Sequence, residues 1–283
     1  MLTANRQVQA IVDLALAEDI GTGDLSGRAV VPEDATATGT FLLKSDGVIS
    51  GLEVVALVCA TVDPEIRFSP DVQDGDQLPD RTVLGAISGP ARSVLIAERT
   101  ALNFLQQLSG VATATRRYVD AVAGTKARIV DTRKTSPGMR VLEKAAVRHG
   151  GGQNHRIGLF DGVMIKDNHI VAFGGDTRIG RAIAEARARI PHTVKIEIEV
   201  ATLDQLRLAL DAGAEIIMLD NINVETMGEA VAITAGRALL EASGGITLET
   251  VRAVAETGVD LISVGALTHS SPALDISLNL TFS

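Results

Sequence analysis

The sequence predicts an α/β protein: an incomplete β/α barrel carrying an N-terminal mixed α+β domain. Three observations lead there. From about residue 126 short apolar strands alternate with helical stretches, one of those strands is charged along a whole face, and the strand ends carry polar residues or glycines. The chain has 283 residues, 46% of them hydrophobic, enough for one large domain or two unequal ones. A boundary near residue 110 is expected, with residues 1–110 forming the N-terminal domain, residues 111–269 the barrel, and the tail 270–283 packing with the N-terminal part.

In chain order, MLTANRQVQAIVDLALAEDIG reads as an amphipathic helix and lacks the basic head and cleavage site of a secretory signal. In GTFLLKSDGVISGLEVV, Asp46-Gly47 between apolar runs predicts a hairpin turn. Cys59, in VVALVCA, is the single cysteine; it has no internal disulfide partner, is expected to pack in the core, and fits a cytoplasmic protein. Residues 91–108 place Val94, Leu95, Ala101, Leu102 and Leu105 at helical spacing, with Gly110 as the stop. From the pattern alone, Arg99 on this helix pairs with a neighbour such as Glu98. Residues 32–90 carry no legible chemistry.

The barrel strands are expected at Arg128–Asp131, Val163–Lys166, Val194–Val200, Glu215–Asp220, Ala238–Ala242 and Leu261–Val264, with helices over 140–149, 177–190, 202–212, 224–236 and 247–257. Alternation of this kind builds a parallel sheet, doubly wound or barrelled. VKIEIEV decides between them. Lys195, Glu197 and Glu199 share one face and Val194, Ile196, Ile198 and Val200 the other. A strand covered by helices on both faces is apolar throughout, so a charged face implies a lumen. Six units are fewer than eight, hence a barrel of fewer strands or one left open.

The formal charge of −9 argues against nucleic acid and anionic membranes as partners, and no run approaches the ~18 apolar residues of a membrane span. The distribution is uneven. Between Arg128 and Lys166 eight Lys or Arg residues face three acids, a net of +5. Loop-formers and donors interrupt them (Ser136-Pro137-Gly138, Gly150-Gly151-Gly152, Gln153-Asn154-His155), so the segment resembles a lined pocket more than a solvated face. Lys144 and Arg148 are assigned to a solvated helix.

Active sites of β/α barrels lie at the C-terminal ends of the strands. Those ends carry Arg133 and Lys134, Lys166, Glu199, Asp220, Ser243-Gly244-Gly245 and Gly265. The Ser-Gly-Gly run is expected to open a helix at Ile246 or Thr247, offering bare N–H groups to phosphate. Glu199 and Asp220 suit a hydrated Mg²⁺ or a cationic sugar carbon, or else neutralise Lys134 or Lys166. Glu197 shares the lumen face with Glu199, which is preferred because it is nearer the mouth. Lys166 at the end of VMIK could also serve as a Schiff-base nucleophile, and a phosphometabolite-binding protein without turnover is a further reading.

The run DTRKTSPGMRVLEKAAVRHGGGQNHRIGLFDGVMIKDNHI, residues 131–170, closely resembles the quinolinate phosphoribosyltransferases, with ERTALNFLQQLSGVAT before it and IEIEV, MLDN, ASGGI and ISVGALTHS after it. The resemblance implies conversion of quinolinate and phosphoribosyl pyrophosphate to nicotinate mononucleotide, pyrophosphate and CO2, with Mg²⁺. It implies a homodimer or larger homo-oligomer whose sites are completed by an arginine of the partner, here Arg99. The implied quinolinate pocket is Arg133, His155, Arg156 and Lys166. The implied phosphoribosyl pyrophosphate contacts are Lys134, Glu199, Asp220, Ser243, Gly244, Gly245, Gly265 and His269; Lys134, Glu199 and Asp220 are the catalytic candidates, and Glu199 and Asp220 hold the metal directly or through water. The residue types suit the chemistry, since guanidinium forks recognise the two ring carboxylates and the acids stabilise positive charge on the sugar. The donor that protonates the ring after CO2 leaves is not identified; Lys134 and His155 are the candidates.

Overall fold

The Asn5 side chain accepts a hydrogen bond from the Gln7 amide at 2.9 Å, and Val8, Val12 and Leu16 line up behind it, so helix α1 (Arg6–Ile20) buries one stripe. This is a computed structural model, and it describes residues 5–283; the first four residues of the expected opening helix lie outside that range. The chain continues through α2 (Leu25–Val30), strands β1 (Thr36–Leu43) and β2 (Gly47–Val48), α3 (Leu52–Val62), β3 (Arg67–Pro70), β4 (Gln77–Leu78), β5 (Val83–Pro90) and the long α4 (Ala91–Ala121). Then come β6 (Arg128–Val130), α5 (Arg140–His149), β7 (Val163–Ile165), α6 (Asp167–Phe173), α7 (Ile179–Arg189), β8 (Ile196–Val200), α8 (Leu203–Asp211), β9 (Ile216–Asp220), α9 (Val224–Thr234), β10 (Leu239–Ser243), α10 (Val251–Glu256), β11 (Leu261–Ser263), α11 (Ala266–His269) and β12 (Ile276–Phe282). Among the described residues no helix is long and apolar enough to cross a membrane.

Contacts group the chain into two units, one of residues up to 116 with 135–151 and 267–283, the other of 117–134 and 152–266. A single cut at residue 110 does not reproduce this grouping, because α5 groups with the N-terminal elements; the tail, expected to pack with the N-terminal part, groups there too.

The first unit holds an antiparallel sheet in the order β12-β1-β5-β3 and a two-stranded pair β2-β4. Asp46-Gly47 does turn the chain, but it makes no hairpin: β1 pairs with β12 and β5, and β2 pairs with β4. The Asp46 carboxylate accepts from the Asp80 amide at 2.8 Å, which turns the chain toward β4. Gly110 does not end a helix either. α4 runs through it, and a Cβ there would sit 2.1 Å from the Pro272 carbonyl oxygen, so the glycine lets the tail cross the helix backbone. The crossing is tied by Leu274 N–H to the Gln106 carbonyl at 2.9 Å and by the Gln106 side chain to the Ile276 carbonyl at 2.6 Å. Cys59 is 1% exposed on α3, and burial pushes its thiol up to about 11, as a core cysteine requires.

On α5 the expected solvated face is half wrong. Arg148 is exposed, but Lys144 is 2% exposed and Glu143 fully buried. The cause is close packing: a Cβ on Gly150, just past the helix, would lie 2.4 Å from the Ala112 carbonyl oxygen, so α5 ends directly against α4. Gly150-Gly151-Gly152 therefore serves packing and turning, Gly151 at φ 90°, rather than a pocket wall.

In the second unit the six parallel strands run in the order β6-β11-β10-β9-β8-β7. The first strand lies beside the last, and the break falls between the consecutive strands β6 and β7. That is an open barrel; a doubly wound sheet would reverse order at an interior strand. Ile196, Ile198, Ile217, Leu240, Ala242 and Ile262 are buried on the outer face, and Glu197, Glu199, Met218 and Glu241 turn inward. The strands begin and end within one residue of expectation, except that β8 starts at Ile196, leaving Val194 and Lys195 outside it. Caps set the helix starts: the Thr202 side chain accepts from Gln205 N–H and the Asn223 side chain from Thr226 N–H. α6, between Lys166 and Gly174, is a short helix the pattern reading lacked.

Replacing Gly110 with alanine forces a methyl into the tail crossing. The substitution should cost about 2 kcal/mol of stability, measured as a lower midpoint in urea unfolding; an unchanged midpoint would sink this account of the tail.

Candidate active site

After β6 the chain leaves the barrel and returns at Gly152, and one buried carboxylate holds its return. Asp131 is fully buried. Its Oδ2 accepts from the Asn154 side chain at 2.6 Å and its Oδ1 from the His155 amide at 2.8 Å. Gln153 bridges to Val130 in parallel sense, with Gln153 N–H to the Ile129 carbonyl at 2.9 Å and Asp131 N–H to the Gln153 carbonyl at 3.1 Å. The segment thus lies along the open edge of β6 and delivers His155 and Arg156 into the lumen.

At the C-terminal ends of the strands lies a cavity of about 500 Å³. Its basic wall is Arg133, Lys134, His155, Arg156 and Lys166, and its acidic wall Glu199, Asp220 and Glu241; Ser243 and Ser263 line it too. Of the eight basic residues in the cationic segment, four therefore reach this mouth. Arg128 lines a second cavity, of about 580 Å³, at the opposite end of the lumen with Lys195 and Glu197. That cavity is larger, but it opens at the strand starts, away from the C-terminal ends where β/α barrels carry their active sites; it shares His155, Arg156 and Glu241 with the mouth.

Lys166 ion-pairs with Glu199. A Schiff-base amine would first have to give up that partner, which disfavours the nucleophile reading. Arg156 donates to the Gly162 carbonyl at 3.0 Å. Burial and the neighbouring Arg133 guanidinium pull Arg156 below its ordinary value, with Glu197, Asp161 and Glu199 offsetting this. Two guanidiniums close enough to repel make a place for an anion with two carboxylates.

The acidic strand β8 is used on two levels. Glu199, near the mouth, meets Lys166; Glu197, one lumen position deeper and 4% exposed, meets His155, with Oε2 2.9 Å from Nε2. Asp220 is half-buried at the end of β9 and accepts from the Asn221 side chain at 3.0 Å. Two hard carboxylates at adjacent strand ends suit a hydrated Mg²⁺.

Ser243 ends β10 and Gly244-Gly245 follow it, but no helix opens there: α10 begins at Val251, after a turn stapled by Thr250 Oγ1 accepting from Thr247 N–H at 3.0 Å. Any phosphate contact then comes from the glycine loop itself. Gly244 has φ 101°, and a Cβ on it would lie 2.2 Å from the Asn221 side chain, so the position takes only glycine, whereas Gly245 at φ 58° faces open space. Gly265 follows β11. Arg99 and His269 fall in the other unit. Arg99 is exposed on α4 and makes no ion pair with Glu98 among the described residues, and His269 ends α11 with Nδ1 2.5 Å from Ser270 Oγ. The sequence pattern assigned no role to Asp131 or Glu241, and to Asn154 only that of a donor within the cationic segment. Glu241 had a signal, a lone acid in ALLEAS two residues before Ser243 on the lumen face.

Family models of the quinolinate phosphoribosyl transferase N-terminal and C-terminal domains match residues 24–109 and 111–279. The chain belongs to the quinolinate phosphoribosyltransferase family. It is 43% identical over 277 residues to a probable nicotinate-nucleotide pyrophosphorylase [carboxylating] of Bacillus subtilis, covering 98% of this chain and 94% of that one. It is 42% identical over 289 residues to a quinolinate phosphoribosyltransferase [decarboxylating] of Nicotiana tabacum, covering 96% and 82%. The crystal structure of NadC from Streptococcus pyogenes superposes with a TM-score of 0.93 at 41% identity, covering 98% of this chain and 97% of that one. Within the family fold, the Asp131 clamp is the feature that sets His155 and Arg156.

Asparagine at position 131 would turn an NH2 toward one of two donors. Asp131→Asn should lose about 1–3 kcal/mol in urea unfolding, and an undiminished midpoint would show that the clamp is dispensable.

Proposed function

We infer that this protein carries out the decarboxylating quinolinate phosphoribosyltransferase reaction of NAD biosynthesis: quinolinate and phosphoribosyl pyrophosphate yield nicotinate mononucleotide, pyrophosphate and CO2. The observation that carries this is the mouth cavity, which sets paired guanidiniums against paired carboxylates within a chain of this family. Arg133, Arg156 and Lys166 bind the ring carboxylates, and Lys134 with the Ser243-Gly244-Gly245 loop meets the phosphates. His155 is less suited to direct contact than expected, since both of its ring nitrogens already have partners within the chain.

The ring nitrogen attacks the sugar carbon as its bond to pyrophosphate breaks. Positive charge grows on the sugar, and Glu199 and Asp220 face it. Glu199 and Asp220 would hold Mg²⁺, directly or through water, and bound there it would supply positive charge against the pyrophosphate. The alkylated, electron-poor ring then takes up the electron pair as CO2 leaves. A protein that only binds such ligands has no use for an acidic wall opposite the cations.

The site is completed between chains, with Arg99 of a second copy as a further guanidinium for the dicarboxylate. Its exposure on α4 without an ion pair supports this, as do Leu159, Phe160 and Val171, large apolar side chains 75%, 82% and 73% exposed in the barrel unit. The buried reduced cysteine supports a cytoplasmic protein.

Incubated with Mg²⁺, phosphoribosyl pyrophosphate and carboxyl-labelled quinolinate, the protein should release labelled CO2; mononucleotide from nicotinate and none from quinolinate would overturn the assignment. Arg99→Ala and Lys166→Ala should each be inactive, and mixing them should restore about a quarter of wild-type activity, because random exchange leaves one intact site in each hybrid dimer. No recovery despite verified subunit exchange would count against Arg99 acting across the interface.

A further inference from the structure

Below the mouth, the lumen holds a carboxyl group with no task in the reaction as read so far. Glu241 lies on β10 two residues before Ser243, hence on the same inward face, and is fully buried. Among the described residues neither of its oxygens has a hydrogen bond of normal geometry, although the Ser263 hydroxyl faces it. It faces His155, with Nε2 at 3.6 Å, and the same nitrogen is 2.9 Å from Glu197. The Arg156 amide donates to His155 Nδ1 at 2.7 Å, so the imidazole hydrogen sits on Nε2. One N–H therefore faces two carboxyl groups. Ionising both would set two like charges around it away from water, so one of the two carries a proton.

Resting on the reaction proposed above, we propose that Glu241 is the acid that returns a proton to the substrate ring after the carboxyl group has left. Its position supports this twice. Glu241 forms part of the wall of the mouth cavity and also of the cavity at the strand starts. It is thus shut off from bulk water yet lies between the place where the ring is held and a second opening through which it can be reloaded. Of the two carboxyls it is the one that keeps the proton. Burial first, then the charge of Glu197, pushes it up to about 8; His155 and the Ser263 hydroxyl oppose this, and Asp131 adds to it.

The step balances. The bond between the ring carbon and its carboxylate breaks, CO2 leaves, and the electron pair remains on the ring carbon beside the alkylated nitrogen. The Glu241 carboxyl transfers its proton to that carbon and keeps the O–H pair as carboxylate charge. Water in the lower cavity then restores the proton. A neutral carboxylic acid is suited to this because its proton is available at neutral pH, where an ordinary glutamate has none.

Single turnovers with quinolinate, Mg²⁺ and phosphoribosyl pyrophosphate, quenched and assayed separately for pyrophosphate and for nicotinate mononucleotide, test the proposal. In the wild-type protein mononucleotide formation should slow as pH rises through about 8. Glu241→Gln should slow mononucleotide formation at least about a hundredfold, more than it slows pyrophosphate formation, and should abolish that pH dependence. Glu241→Asp should recover part of the rate. A flat wild-type profile overturns the proposal without any variant, as does a Glu241→Gln protein with the wild-type ratio of mononucleotide to pyrophosphate. His155, Glu197 and Glu241 each place one ligand atom within 4.8 Å of the others, so one metal ion per chain, present in the wild type and lost in Glu241→Gln, would also overturn it. A wild-type protein that forms no mononucleotide from quinolinate defeats the reaction assignment itself, a result distinct from normal turnover with an unaltered variant.

Discussion

The Asp131 carboxylate is the interaction on which the site depends. The barrel is open between β6 and β7, and the chain leaves it there for residues 135–151 before coming back. A returning segment with a glycine entry has little to hold it. Two hydrogen bonds onto one fully buried carboxylate, together with a single parallel bridge to β6, supply the constraint. Those bonds are strong because the acceptor is charged and water is excluded. The incompleteness of the barrel becomes useful as a result: two residues enter the lumen sideways, through the gap, where no strand could deliver adjacent side chains to the same face.

The lumen those residues enter is layered by charge. Near the mouth, Lys166 meets Glu199 and Arg156 lies beside Arg133; beneath them, His155 meets Glu197 and Glu241. An upper layer of this kind can exchange its internal pairings for those of a multiply charged ligand at little extra desolvation, since the charges are already gathered and partly dry. The lower layer is buried, and there one imidazole N–H faces two carboxyl groups. Two different pairings thus occupy successive inward positions of one strand, Glu199 against a lysine and Glu197 sharing an imidazole with Glu241.

Some sequence signals carried more than local information. The alternating charges of VKIEIEV distinguish a lumen from a helix-covered face because a strand has a period of two and its neighbours are fixed by chain order. Other signals were correct locally and misleading globally. Asp46-Gly47 turns the chain without pairing the strands around it, because turn chemistry does not choose a partner. Gly110 looks like a helix stop, yet its role is to admit the tail backbone. The Ser-Gly-Gly loop precedes a helix, but Thr247 to Thr250 form a turn first. Lys144 sits in a basic run and is nevertheless buried, since a helix of ten residues reveals its buried side only once its packing partner is known.

By itself, then, the sequence determined the barrel, its inward face, the cationic mouth and the family, because each of these is written in short-range periodicity or in contiguous motifs. Only the tertiary structure decided that Asp131 holds His155 and Arg156 in the gap, that Glu197 and Glu199 serve different depths, and that Glu241 lies between two cavities with its proton retained. Those outcomes depend on groups far apart in the chain sharing one dry space, and the energy of a buried charge is set by its neighbours rather than by its place in the sequence.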